Sequence, residues 1–341
     1  MKWGRFQLQT ITRDLAKVYQ ADPAAQPMLR VAQGETFKVE TNDHMNQELL
    51  NRLLSSGKNY ITFPREEFAP VLKTPMQANP VAGPIYIEGA EPGDLLAVHI
   101  EDIIPGEYGS CPALGHSGLV VGRMGYEELQ GNHAWLFKLN PGPSGTTSDG
   151  TAETEIDGRK WTWKLHPHIG TIMTVPSLGR GVADTLTTQG SWGGNIDVHD
   201  VCKGNTVYLN CYNEGGLLFL GDVHASQGDS ELCGSAIETY ADVILSVEVI
   251  KQKSIPGVCR IETPHSIIQV DSNTHAGSHK DALNACYLGL MDWLVKEYGF
   301  SKAAAYVHMS TNPNVVAHVY QFIDGFCTCG VEIEKESIEI K

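Results

Sequence analysis

The sequence is short of charge, and of positive charge above all. Only 19% of its 341 residues are charged, and 25 Lys and Arg face 40 Asp and Glu, a net charge of −15. Average chains run at about 25% charged. With no basic run to neutralise phosphates, a nucleic-acid-binding role is excluded. No stretch approaches the roughly 18 apolar residues of a membrane helix. The opening Met1-Lys2-Trp3-Gly4-Arg5-Phe6-Gln7 lacks the apolar run of a secretory leader. Eight cysteines are too sparse for a disulfide scaffold in a chain of this length, so the expected compartment is the reducing cytoplasm. Cys327 and Cys329 share a strand face, and no second Cys or His pair follows them. They read as small core side chains rather than half of a zinc site.

Apolar residues and glycine are plentiful, at 42% and 35 residues. That apolar content can bury a large core, which excludes wholesale disorder. From about residue 34 the text is strand-like: short β-branched or alternating runs separated by Gly, Pro, Asn and Asp. Thr36–Thr41, Ile85–Ile87, Leu95–Ile104, Gly170–Val175, Thr206–Tyr212, Leu217–Leu220, Ile237–Ile250, Ile267–Asp271 and Phe326–Ile333 are the strand candidates. Without alternating helices they predict a mainly β fold, a β-sandwich or barrel-like single domain, rather than a parallel sheet.

One helical pair is expected near the C-terminus. Ser278 has the form of an N-cap with Asp281 three residues on. Leu283, Cys286, Leu290, Trp293 and Leu294 then recur at helical spacing up to Gly299, and Ser301 can cap a second helix to about Ser310. Residues 1–30 read as an irregular segment before a β domain spanning 31–341, and 140–150 reads as a surface loop.

The chemistry concentrates between residues 193 and 238. If 217–224 runs extended, Leu218, Leu220, Asp222 and His224 share one face, which sets a carboxylate beside an imidazole at the end of a buried strand. An unpaired buried carboxylate is very costly, and a divalent metal held by oxygen and nitrogen ligands meets that cost. Asn195 and Asp197, also two apart, can face the same place. Gln227, Asp229 and Glu231 follow within a few residues. The bland alternative is a turn in which Asp222 caps backbone amides and His224 is a satisfied surface group. His166 and His168 read as surface or packing residues, whereas Thr274-His275-Ala276 and His279 could approach the site.

The run Gly193-Gly-Asn-Ile-Asp197, followed by Gly221-Asp-Val-His-Ala-Ser-Gln-Gly-Asp-Ser-Glu-Leu-Cys-Gly-Ser-Ala-Ile-Glu238, strongly resembles the acetamidase/formamidase family. So do Asn79-Pro-Val-Ala-Gly-Pro-Ile-Tyr-Ile-Glu-Gly-Ala-Glu-Pro-Gly-Asp94 and the early Thr41-Asn42-Asp43. The likeness covers about 31–335. Met173-Thr-Val-Pro176 and Val198-His199 depart from the usual text. The resemblance implies a mostly β hydrolase, often a homo-oligomer of two or more chains, that cleaves a short primary amide to a carboxylate and ammonia. It also implies a divalent metal, zinc foremost, with calcium, magnesium or manganese as alternatives. The expected ligand pool is Asp43, Asp197, Asp222 and His224. Glu231 or Asp229 would be the base. Asn195, Gln227 and Gly228 would hold the substrate, and Glu238 would stand behind the ligands. Two rivals remain: Cys233 as a nucleophile with His224 as its base, and a metal- or small-molecule-binding β module without turnover.

Overall fold

The computed structural model describes residues 8–64, 77–113, 115, 118, 131–323 and 325–338. The chain is mainly β, and its two large sheets are open rather than closed into a barrel. One sheet runs, in spatial order, Gln9–Ile11, Phe37–Glu40, Ala241–Ile250, Leu95–Pro105, Thr206–Asn210, Cys259–Glu262, Ser266–Ser272, Phe326–Glu334 and Val315–Ile323. The other is built around Leu218–His224, flanked by His168–Met173 on one side and by Glu238–Thr239 and Tyr108–Ala113 on the other.

The two sheets share a core, as a sandwich must. Alternate residues Ala241, Val243, Leu245 and Val247 of one sheet pack in the same cluster as Ile169, Ile172, Leu218 and Leu220 of the other. Each fully buried aliphatic side chain contributes about 1.5–3 kcal/mol relative to exposure. In the strand Leu95–Pro105 the buried row is Leu96, Val98 and Ile100, then Ile103. The phase changes because the pairing with Ala241–Ile250 slips between Ile244 and Leu245, leaving one extra residue at a bulge.

The helical pair forms as expected. Helix His279–Glu297 is capped by Ser278, whose Oγ accepts from the Asp281 amide, and Lys302–Thr311 is capped by Ser301 in the same way. Cys286, Leu290, Trp293 and Leu294 pack on Ile267, Val331 and Ile333, and Cys327 and Cys329 are buried in that layer.

Two expectations need correction. The segment before residue 31, read as irregular, contributes the short strands Gln9–Ile11, Gln20–Ala21 and Leu29–Val31, paired with Phe37–Glu40, Ala183–Asp184 and Val81–Ile87 respectively; residues 1–7 lie outside the described residues. A helix, Glu48–Ser56, was not anticipated; it buries Leu49, Leu50 and Leu53 and ends at Gly57 with φ 65°. The 140–150 loop does lie between strands, with one 3₁₀ turn at Thr147–Asp149.

Candidate active site

The site lies at the seam between the sheets. Strands His168–Met173 and Leu218–His224 run antiparallel, with Ile169 opposite Val223 and Ile172 opposite Leu220. All four of these residues are in the shared core. Core positions three apart on both strands mean that alternation breaks at the Gly170–Asp222 level. Asp222 has φ 55°, a left-handed conformation uncommon outside glycine. Gly170 is required opposite it: a Cβ there would meet Asp197 Oδ1 at 2.7 Å and Asp222 O at 2.8 Å. The predicted row Leu218, Leu220, Asp222, His224 therefore does not hold as one face, because Val223 takes the next core position. The carboxylate and the imidazole are nevertheless neighbours, with His224 Nε2 3.8 Å from Asp222 Oδ1.

Three more acids converge on that imidazole. His224 Nε2 is 3.9 Å from Asp197 Oδ1 and 3.3 Å from Glu238 Oε2. Asp197, His224 and Glu231 can offer ligand atoms all within 4.8 Å of one another, and so can Asp222, His224 and Glu238. All five residues are buried. Asp197 and Glu231 also have positive φ, at 49° and 47°. Three of five clustered side chains are thus carried on strained backbone, a mark of functional sites.

The supports of these groups are specific. Asp222 Oδ2 accepts from Asn79 Nδ2 at 2.7 Å and lies 3.2 Å from the Thr171 hydroxyl, whose proton goes to the nearer Asn195 Oδ1. Gln321 Nε2 donates to Asp197 Oδ2 and, at 3.3 Å, to Glu231 Oε2. Gln321 follows a register slip in the edge strand Val315–Ile323, where Tyr320 turns into the core and Gln321 into the site. Gln227 spends both amide protons on backbone carbonyls, those of Asp197 (2.8 Å) and Tyr320 (2.9 Å). Its oxygen must then accept from His224 Nδ1 (2.8 Å) and His168 Nε2 (3.0 Å). That fixes the proton of His224 on Nδ1 and aims Nε2 at the carboxylates.

Among the described residues, four buried carboxylate oxygens have no hydrogen-bond partner: Asp43 Oδ2, Asp197 Oδ1, Asp222 Oδ1 and Glu238 Oε2. Burial pushes Asp197 and Glu231 well above the usual carboxylate range, and repulsion from neighbouring acids adds to it. Burial alone would depress His224, but the Glu238 and Asp222 carboxylates lift it well above its ordinary value. Burial opposes ionisation of Glu238 too, yet His224 and His44 hold it down to about 2. One imidazole cannot neutralise four carboxylates, and orphaned buried oxygens pointed at one another fit a cation. The described residues therefore hold a buried His/Asp/Glu group able to bind a metal ion.

Asp197, Asp222, His224, Glu231 and Glu238 come together as a cluster. Asp43 stands beside it: its Oδ1 accepts from the Met45 and Gln47 amides, and its neighbour His44 faces Glu238 at 3.8 Å. Asn195 accepts from Thr171 Oγ1 (2.6 Å) and donates to the Leu186 carbonyl, so it braces the supports of Asp222. Gln227 orients imidazoles rather than projecting at a ligand. Gly228 and Asp229 are exposed, and Asp229 pairs with His199 at 3.0 Å outside the cluster. Cys233 lies 3.7 Å from Cys111, and the ring nitrogens of His224 face Gln227 and carboxylates rather than a thiol. His168 is fully buried in the network, against the surface alternative. His275 binds Asp271 and His279 packs on Phe322, whereas Thr274 reaches Gln189, which donates to Gln321. Sequence reasoning missed Asn79, Thr171, Gln321 and His44 as contributors. Asn79 opens the quoted 79–94 motif and His44 follows Asp43, but Gln321 carried no local signal.

Fold and site together define a two-sheet β protein with a buried carboxylate–imidazole centre. The model of the Acetamidase/Formamidase family matches residues 15–178 and 173–333, and the chain belongs to that family. An acetamidase of Mycolicibacterium smegmatis is 28% identical over 300 residues, covering 68% of this chain and 73% of that protein. A formamidase of Methylophilus methylotrophus is 28% identical over 226 residues, covering 51% of this chain and 52% of its own length. The match to a Schizosaccharomyces pombe relative spans 61% of that protein. Among solved structures, the acetamidase of Yersinia enterocolitica superposes with a TM-score of 0.79 at 28% identity, covering 99% of this chain and 94% of that one.

Proposed function

We propose that this protein hydrolyses a short-chain primary amide to a carboxylate and ammonia. The observation that carries the reading is the buried cluster: orphaned carboxylate oxygens around one imidazole, with a fourth acid, Glu231, held above its ordinary ionisation range. The acetamidase and formamidase names of the relatives support the substrate class.

An amide carbonyl is a poor electrophile, and its nitrogen leaves only when protonated. Asp197, Asp222, His224 and Glu238, with Asp43 beside them, are the residues that would hold a divalent metal. Mixed carboxylate and imidazole donors suit zinc. Such an ion would supply Lewis acidity toward the carbonyl and toward water. Glu231 is the proton carrier: burial, with Asp197 beside it, raises the affinity of its carboxyl for a proton, which suits a group that takes a proton from water and returns it to the departing nitrogen. Gln321 steadies Glu231 Oε2, and Gln227, bonded to Nδ1, turns His224 Nε2 toward the carboxylates. Water and amide then become carboxylate and ammonium with no other reactant.

We extend the reading to a cytoplasmic homo-oligomer. Eight free cysteines support the compartment, and the exposed Leu288, Tyr306 and Val307 on the helical pair support self-association. The deciding assay is ammonia release from formamide, acetamide and propionamide with zinc supplied, beside elemental analysis and light scattering for chain number. Absence of ammonia from every short amide overturns the proposal and leaves the binding-module alternative.

A further inference from the structure

A second histidine–carboxylate cluster stands outside the buried centre. His199, Asp229 and His318 can offer ligand atoms all within 4.8 Å of one another. Their side chains are 23%, 56% and 16% exposed, so solvent reaches them. His199 Nε2 already lies 3.0 Å from Asp229 Oδ1.

Both imidazoles are held from behind by a carboxylate. Asp200 Oδ2 faces His199 Nδ1 at 3.4 Å, and the Tyr320 hydroxyl donates to the same Asp200 oxygen at 2.7 Å. Glu332 Oε2 faces His318 Nε2 at 2.7 Å. A carboxylate on the far nitrogen is the arrangement that fixes a metal-binding histidine's tautomer and strengthens it as a donor. It leaves Nε2 of His199 and Nδ1 of His318 for a ligand. The charge balance argues the same way. Among the described residues the ion pairs of Asp200, Asp229 and Glu332 run only to these histidines, so three carboxylates face two imidazoles with no Lys or Arg.

We infer that His199, Asp229 and His318 form a second metal site, which takes a divalent ion of the zinc class through two imidazoles and one carboxylate. Its place in the fold gives it a task. Asp197 and His199 come from one segment, Asp229 and Glu231 from a second, and His318 and Gln321 from a third. Each segment thus sends one side chain to the buried centre and one to the outer cluster. An ion held outside would clamp together the three segments that position Asp197, Glu231 and Gln321. This inference does not depend on the amide reading, since it concerns binding alone.

The test is zinc titration of the full chain, with bound metal per chain counted by elemental analysis after equilibrium dialysis. Wild type is expected to bind one more equivalent than His318→Ala. Asp229→Asn, an exposed change that leaves packing intact, is expected to weaken the same step. Glu332→Gln, which touches no ion, is expected to weaken it about 10–100-fold, as loss of a carboxylate behind a ligand histidine does. Asp222→Asn, in the buried centre, is expected to leave the outer equivalent in place. Copper(II) paramagnetic resonance gives an independent readout: two nitrogen donors in wild type, one in His318→Gln. Equal zinc stoichiometry and affinity in wild type, Asp229→Asn and Glu332→Gln would overturn the site. That result leaves the amidase proposal standing, because it is read without substrate.

Discussion

The buried centre and the outer cluster use the same side chains to different ends. Each gathers imidazole and carboxylate, and three chain segments serve both. The difference is water. Outside, His199 and Asp229 form an ion pair in contact with solvent, where such pairs contribute about 0–1 kcal/mol. Inside, Asp197, Asp222, Glu231 and Glu238 share one imidazole, and burial makes it too costly for all four to ionise. Position relative to water, rather than residue type, sets the two clusters apart.

Glu231→Gln breaks the comparison most sharply. It keeps shape and the contact with Gln321 but removes the proposed proton carrier, so kcat for ammonia release should fall about 10²–10⁴-fold. The matched change outside, Asp229→Asn, should not approach that loss. Comparable losses from the two would mean that Asp229, not Glu231, moves the proton. If the inner acids hold the proposed metal, Asp222→Ala and treatment with a chelator should both abolish activity, and elemental analysis should show the metal lost in each case. An active, metal-free enzyme would remove the metal from the proposal.

Much of this was legible in the residues. The strand runs, the capped helical pair and the density of acids after Gly221 follow from local pattern. Asp197, Asp222, His224, Glu231 and Glu238 could therefore be named in advance. What local pattern could not carry was direction. Asp229 and Glu231 are two apart in a turn, and whether each faces in or out depends on positive φ at Ser230 and Glu231, which no spacing rule signals. Gln321 arrives from an edge strand 90 residues away from Glu231, aimed by a register slip. The helix Glu48–Ser56 was readable, since Leu49, Leu50 and Leu53 have helical spacing, but it lacks the N-cap hydrogen bond that marks a start.

Gly170→Ala probes the geometry that holds the inner acids. Its new Cβ would lie 2.7 Å from Asp197 Oδ1 and 2.8 Å from the Asp222 backbone oxygen, so one of the inner acids must shift. Overpacking of this kind costs about 1–3 kcal/mol. Denaturant midpoints and metal content measure it. An unperturbed variant would show that the left-handed turn at Asp222 is more pliant than its packing implies.

The smallest effect tests water as the cause. In metal-free protein, Asp197 and Glu231 have folded-state values above their unfolded ones, so each costs stability once pH passes the ordinary carboxylate range near 4. His224, raised by its acidic neighbours, contributes stability below about 6.5 and loses it as pH climbs through its folded value. All three act in the same direction, so the melting temperature of metal-free protein should fall from pH 5 to pH 9. Glu238 opposes them only on the acid side, because the stability it contributes above about 4.3 is lost as pH drops toward its folded value of about 2. Glu231→Gln removes one of the three and should flatten the fall, whereas Asp229→Asn, whose carboxylate stays in water, should leave the slope within error of wild type. A slope changed equally by both would mean that burial does not separate the two clusters.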